Sequence, residues 1–377
     1  MSAARALETS QALAMEFAGR SSLQLEFTWH SAISDAIRQV RRKSSIPATT
    51  PLRGFDLFAG IGGFRLAMEL CGVACVGACE IDPSARATYL ANFGHLPLPD
   101  VRTIDAKTIP DVDVITGGFP CQGVSLCGKR RGFSDPRTRL FFKLARIIER
   151  KQPKIAILEN VPRLLTKPCK GDIAKILRRL RRAGYDVNVW LLDSKNYGVP
   201  QSRQRVFFAC FRADLKIGEN VSPPPHLQST SRIRDILQPD CDELRWRMLR
   251  LGRIAWIGRK EEKIRACEDG ARDVCRIGWI RDGSQGDIIH HPSGLAPTHV
   301  ATSGWSCGGS MILQVGQDQY RSFTPTEARR LMGFPENFRF IGSDADVLAQ
   351  LGNAVVVPAA AAVIQRALEA VAKSGLS

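Results

Sequence analysis

The segment Gly117-Gly118-Phe119-Pro120-Cys121-Gln122-Gly123-Val124-Ser125 carries a thiol in a position that invites chemistry. The apolar run Val112-Asp113-Val114-Ile115-Thr116 ahead of it reads as a buried strand, and the glycines and proline end that strand. A side chain just past the carboxyl end of such a strand lies where open α/β sheets bind ligands. Cysteine is the side chain closest to being a useful nucleophile at neutral pH, so Cys121 is the candidate attacking group. A buried structural thiol is the alternative.

Three further constellations have the same character. Glu159-Asn160-Val161-Pro162 follows the apolar run Ile155 to Leu158, which puts the Glu159 carboxyl at a strand end as well. An ordinary glutamate titrates at about 4.3, so acid chemistry near pH 7 needs burial or a partner that lends a proton. Gln201-Ser202-Arg203-Gln204-Arg205 enters another apolar run, and in an extended chain Arg203 and Arg205 share one face. Two guanidiniums on one face repel unless an anion or a polar ring lies between them. Finally, Ala59-Gly60-Ile61-Gly62-Gly63 joins a short strand to a helix. It fits the first two glycines of a dinucleotide fingerprint, but Arg65 takes the third position. Glu80 lies twenty residues beyond Gly60 at the tip of the next strand, where an acid can hold a ribose hydroxyl pair. A nucleoside cofactor without a pyrophosphate suits both facts; a plain tight turn with a surface acid is the competing reading.

The elements that must position these groups alternate. Gly54–Phe58 is a strand, Phe64–Cys71 a helix stopped by Gly72, Val73–Cys79 a second strand and Val112–Thr116 a later one. A helix is expected over Leu140–Ile148, a strand over Ile155–Leu158, a helix over Ile173–Arg182, and strands over Tyr185–Leu192 and Val206–Phe211. Strand-helix alternation implies an α/β fold with a mostly parallel sheet and helices on both faces. The boundaries read as an N-terminal extension with linker over 1–52 and a catalytic domain over 53–214. A smaller irregular domain covers 215–322, and a C-terminal segment over 323–377 returns to the first domain. The extension reads as a separate piece with a helix near Ser31 to Arg42. The alanine-rich stretch Ala354 to Ala372 is expected to pack on the sheet.

Composition narrows the partners. The chain has 377 residues, 44% hydrophobic and 24% charged, enough for a large core, and no apolar run comes near the roughly 18 residues of a membrane span. The net charge is +16, which points to a polyanion, and nucleic acid is the commonest that fits. Eleven cysteines without a secretory signal imply reduced cytosolic thiols. Cys71, Cys75 and Cys79 recur every four residues on a strand of small residues, which reads as core packing and not as a metal site.

Together, Asp56 to Gly63, Glu80, Gly118-Phe119-Pro120-Cys121-Gln122, Glu159-Asn160-Val161, Gln201-x-Arg203-x-Arg205 and Gly352-Asn353-Ala354-Val355 resemble, in order and separation, the cytosine-C5 DNA methyltransferases of bacterial restriction-modification systems. The resemblance runs from Gly54 to the C-terminus, except for about 215–290. It implies a Rossmann-like S-adenosylmethionine-dependent methyltransferase fold with a smaller target-recognition domain. It also implies transfer of a methyl group to C5 of a cytosine flipped out of double-stranded DNA. Cys121 would add to C6, Glu159 would bond N3, Arg205 would hold the base carbonyl and Arg203 would organise the site.

By the same resemblance S-adenosylmethionine would lie against Phe58, Ile61, Gly63, Pro120, Leu140, Asn353 and Val355. Glu80 would take the ribose, Ile81 the adenine face, and Asp100 with Val101 the adenine edge. Ser125, Lys129, Arg130 and Arg131 would sit on a loop that closes over DNA, and Thr298 belongs to the family's recognition-domain signature. His299 departs from that signature, where an aliphatic residue is usual. Arg272, Arg276 and Arg281 are candidates for reading guanine edges. A monomeric cytoplasmic enzyme, associated with the nucleoid and paired with a restriction endonuclease, needing no metal and no membrane, completes the expectation. A tRNA cytosine-C5 methyltransferase and a catalytically silent DNA-binding repressor are the competing functions.

Overall fold

The structure, a computed structural model, describes residues 28–43, 51–120, 140–227, 230–239, 254–257, 259–269, 273–280, 288–301 and 312–374. Strands β1 (Arg53–Leu57), β2 (Ala74–Cys79), β3 (Val114–Gly118), β4 (Ile155–Asn160), β5 (Tyr185–Asp193) and β6 (Gln204–Arg212) form one sheet in the order β2-β1-β3-β4-β6-β5. The pairs β1–β2, β1–β3 and β3–β4 are parallel, whereas β6 runs antiparallel between β4 and β5. The parallel ladder puts the carboxyl ends of β1, β2, β3 and β4 on one edge, where the chemistry-bearing residues follow. Because β6 is reversed, its amino end, with Arg205, reaches that same edge.

These strands read as nearly unbroken apolar runs because both faces are covered. Ile155 and Ile157 face one layer while Ala156 and Leu158 face the other, all with essentially no exposure. One layer holds α1 (Ser31–Lys43), α2 (Gly63–Leu70), α3 (Pro83–Phe93) and α9 (Val357–Lys373). The other holds α4 (Leu140–Lys151) and α5 (Lys170–Arg182). Helix α3 starts as its sequence dictates: the Asp82 carboxylate accepts from the amides of Ser84 and Ala85, Pro83 follows, and Gly94 ends the helix with φ 73°. Cys71, Cys75 and Cys79 are buried as expected for core residues, and the Cys71 thiol donates to the Ala361 carbonyl of α9.

Two expectations are corrected. The segment ahead of residue 53 is not wholly apart. Helix α1 buries Ile33, Ala36, Ile37 and Val40 in the same core as α9, the Trp29 indole donates to the Gly333 carbonyl, and the Ser231 hydroxyl donates to the Ala32 carbonyl. The amphipathic spacing of 33, 36, 37 and 40 gives the helix one apolar stripe, and α9 offers the surface that covers it. In addition, the run Asp344–Lys373 is long and apolar enough to cross a membrane by length and composition alone. It is a core element instead: 83% of its apolar window is buried, and Pro358 marks the break between α8 (Asp344–Asn353) and α9.

Downstream of residue 253 a second sheet forms from β7 (Ile254–Trp256), β8 (Arg276–Ile280), β9 (Ile288–His290), β10 (Ile312–Gly316) and β11 (Gln319–Ser322), in the order β11-β10-β9-β8-β7. Helix α6 (Lys260–Glu268) packs on it through Cys267. The chain from this sheet then meets the amino end of β6: Gln201 bridges Ala296, and the amide of Ser202 donates to the Ala296 carbonyl. Helix α7 (Pro325–Leu331) begins with a reciprocal cap between Thr324 and Glu327 and carries the chain back to α8 and α9.

Candidate active site

The carboxyl edge of the large sheet has two ends. At the first, the chain leaves β1 through Phe58, a non-glycine residue at φ 59°, then Gly60 at φ 54° and Gly62 at φ 95°. A Cβ on Gly62 would sit 2.3 Å from the Phe93 ring, and one on Gly63 would sit 2.8 Å from Val355 Cγ1. The glycines are therefore required by α3 and by the C-terminal segment pressing on the loop. At Gly60 a Cβ would meet nothing within 4 Å, so one side of the loop is open.

The Glu80 carboxylate is held over this loop by two backbone amides, accepting from Gly60 N at 2.7 Å and from Asp82 N at 2.8 Å. Beside it Ile81 is 57% exposed, an apolar side chain projecting from the end of β2. Phe58, Leu98 and Leu140 are half-buried on one apolar cluster, and Val101 is buried in it. Asp100 is paired to Arg102, whose hydrogen bonds hold its carboxyl below the usual range. Beneath the loop lies Asp56, fully buried in β1. Thr116 Oγ1 donates to its Oδ1 at 2.7 Å, and Oδ2 has no partner among the described residues. Burial raises its pKa to about 7, against the Thr116 hydrogen bond, and Glu80 adds to the rise.

At the second end, Glu159 Oε1 pairs with Arg205 Nε at 2.9 Å, and a Cβ on Gly118 would stand 3.2 Å from Glu159 Oε2. The carboxylate thus lies against the end of β3. The next residue of β4, Asn160, donates from Nδ2 to the Phe119 carbonyl at 3.1 Å and accepts from the Val161 amide at 2.8 Å. Together these contacts fix the chain leading through half-buried Pro120 toward Cys121. A carboxylate and an arginine thus pair beside the end of β3, and the open glycine loop with its held Glu80 lies at the other end of the same edge.

Residues 52–369 match the family described as C-5 cytosine-specific DNA methylase. The chain belongs to that family.

Curated relatives include the Type II methyltransferase M.HhaI of Haemophilus parahaemolyticus, 35% identical over 311 residues, covering 82% of this chain and 91% of the relative. M.HpaII of Haemophilus parainfluenzae is 34% identical over 328 residues, covering 83% of this chain and 88% of the relative. Among solved structures, a putative DNA modification methyltransferase encoded within an Escherichia coli prophage aligns with a TM-score of 0.64 at 24% identity, covering 85% of this chain and 99% of that one. The Dnmt2 methyltransferase of S. pombe aligns at 0.61 and 23%, covering 84% and 98%; both show the shared fold. The chain is accordingly a DNA cytosine-5-methyltransferase, in a family whose reaction runs through a covalent cysteine adduct on a flipped base.

In this methylase the expected residues fall into three groups. Glu159 and Arg205 meet directly. Glu80 holds the glycine loop, Gly63 packs on Val355, Ile61 is buried in the loop and Ile81 is exposed beside Glu80, while Phe58, Val101 and Leu140 share one apolar cluster and Asn353 is exposed at the end of α8. Cys121, Ser125, Lys129, Arg130 and Arg131 lie outside the described residues, as do Arg272 and Arg281, while Arg276 is exposed on β8.

Arg203 differs from its expectation. It precedes β6, which begins at Gln204, so the strand alternation does not govern it. Its guanidinium is buried. Nη1 donates to the His299 carbonyl and Nη2 to the carbonyls of Gly352 at 2.9 Å and Ala354 at 3.0 Å. Burial and then Arg205 disfavour its charge, and Glu159 favours it, so the anion expected between the two arginines sits mainly with Arg205. Thr298 is not free toward solvent either: its hydroxyl donates to the Ser202 carbonyl at 3.1 Å.

The sequence reading gave no role to Asp56 or Asn160, although both lie within its motifs. An aspartate between Phe55 and Leu57 in an apolar strand was the available signal, since a buried carboxylate needs a reason.

Proposed function

We propose that this methylase uses S-adenosylmethionine to methylate C5 of a cytosine in a specific duplex site, with Cys121 as nucleophile and Glu159, Arg205 and Arg203 as its supporting groups. The Glu159–Arg205 pair against the end of β3, three residues before Cys121, carries this reading. A stacked cytosine does not expose C6, so the base must leave the helix at a cost of a few kcal/mol. The Cys121 thiolate then forms a bond to C6, and the displaced electron pair runs into the ring toward C5 and N3. Glu159, hydrogen-bonded to N3, stabilises that charge, while Arg205 turns donors toward the base carbonyl. The electron pair at C5 would take the methyl group, leaving S-adenosylhomocysteine, and loss of the C5 proton to solvent would restore the ring double bond and expel the Cys121 thiolate.

S-adenosylmethionine supplies an electrophilic methyl group on a sulfonium. The residues at the first end fit it: an open side at Gly60, a backbone-held Glu80 for a hydroxyl pair, an exposed Ile81 for a ring face, and the unpartnered Asp56 Oδ2 beneath. Phe58, Leu140 and Val355 would complete an apolar wall. The second sheet, with Arg276 exposed on β8, would carry site recognition, and the cations of 129–131 would contact phosphate. A monomer acting in the cytoplasm beside a restriction endonuclease of the same specificity completes the reading.

The test is transfer of labelled methyl from S-adenosylmethionine to duplex DNA. We expect transfer to the duplex, and loss of transfer with retained DNA binding in Cys121→Ser. Methylation of tRNA but not DNA would overturn the substrate, and full activity of Cys121→Ser would overturn the mechanism.

A further inference from the structure

Two distant stretches of chain converge on Arg203. Its guanidinium donates to the carbonyls of His299, Gly352 and Ala354. The stretches also touch one another: a Cβ on Gly352 would lie 2.2 Å from Ala301 N and 2.4 Å from Val300 C, so that contact is backbone on backbone. Gln201 fastens the same junction, its Oε1 accepting from His299 N at 2.9 Å and its Nε2 donating to the Leu331 carbonyl at 2.9 Å.

His299 itself is 1% exposed. Its Nε2 lies 2.9 Å from the Leu348 carbonyl of α8. A carbonyl only accepts, so Nε2 carries the hydrogen and Nδ1 is bare. Among the described residues Nδ1 has no partner, and neither has Arg203 Nε, one buried acceptor and one buried donor in the same cluster. Burial, and then the Arg203 charge, hold the imidazole pKa down at about 4, against the hydrogen bond to Leu348, so the ring is neutral at pH 7.

We infer that His299 is a positioning residue. Its Nε2–H bond to Leu348 ties the segment that follows β9 to α8, and so fixes the carbonyl that Arg203 grips. Arg203 lies two residues before Arg205, so a slack junction would loosen the arginine that faces Glu159. This role rests on the reading of Glu159 and Arg205 as the base-binding groups.

The test compares His299→Leu, which fills a similar space without a donor, with His299→Gln, whose amide can restore the bond to the Leu348 carbonyl. We expect kcat of His299→Leu to fall about tenfold to a hundredfold, as a small misplacement of supporting groups does. KM for DNA should change less than about twofold, because the lost contact touches no substrate. His299→Gln should recover kcat to within about threefold, at temperatures where melting curves show both variants folded. Wild-type kcat in folded His299→Leu overturns the inference, as does equal loss of kcat in folded His299→Gln. The ring 15N shifts of His299 in the wild-type protein give an activity-independent readout: a neutral Nε2–H tautomer at pH 7 is expected, and a neutral Nδ1–H tautomer overturns the bond. A wild-type protein inactive on DNA but with the expected tautomer would instead sink the functional reading alone.

Discussion

Glu159 and Arg205 join across the β4–β6 ladder without being register partners. Glu159 is opposite Phe207, and Arg205, two residues earlier on the same face, is opposite Leu192 of β5. The antiparallel diagonal is within reach of a long side chain, and Arg205 Nε closes it at 2.9 Å. The pair is therefore a product of the reversed β6. A parallel strand in that position would have placed Arg205 at the opposite edge.

From this pairing, Arg205→Ala should reduce kcat for methyl transfer by about a hundredfold to a thousandfold, the loss expected when one preorganised donor to developing charge is removed. Arg205→Lys should recover little, because an ammonium lacks the planar fork that can face a carboxylate and a base together. Both side chains are only about 16% exposed, so losing the arginine leaves a largely buried carboxylate unpaired and should also lower the melting temperature. Steady-state kinetics with a thermal melt on each variant checks both statements, and near-wild-type turnover in Arg205→Ala would remove the arginine from the reaction.

Asp56 makes stability depend on pH. Its pKa is raised from 3.8 to about 7, chiefly by burial. The folded protein thus binds this proton more tightly than the unfolded chain. The stabilisation is fully present below about pH 4 and is lost as pH rises through about 7. Asp56→Asn should melt at a higher temperature than the wild type at pH 8, and the difference should shrink toward pH 5. Parallel melting curves for the two proteins across that range measure it, and an unchanged difference would show that Asp56 does not titrate there.

Helix α1 should be part of the folding unit. Ile37 is 3% exposed among core residues shared with α9, and a Cβ on Gly198 would fall 2.1 Å from Ala36 Cβ. Ile37→Asp buries an unpaired charge, so a loss of about 3 kcal/mol or more is expected in urea unfolding. Removal of residues 1–43 should also lower the melting temperature. Wild-type stability in either protein would mean that the α1 contact is dispensable.

Much of this protein was legible in its sequence because local rules settle it. The strand-helix alternation set the α/β class, and the apolar runs located strands to within a few residues. Periodicity blurs where a glycine-rich end continues a strand, which is why β3 runs over Val114–Gly118 and not Val112–Thr116. Motif order was enough to bring Glu159 to the carboxyl edge, since it follows a strand end, whereas Arg205 reaches that edge only because β6 is reversed. Other relations depend on segments far apart in the chain. Arg203 looked like a partner of Arg205 at i, i+2, yet its hydrogen bonds go to carbonyls 96, 149 and 151 residues away. The burial of Asp56, the covering of α9 by α1 and the seat of His299 against α8 are of the same kind. The sequence by itself determined which groups could act. Only the tertiary structure decided which are charged, paired or locked in place, because desolvation and hydrogen bonding depend on neighbours that no local pattern encodes.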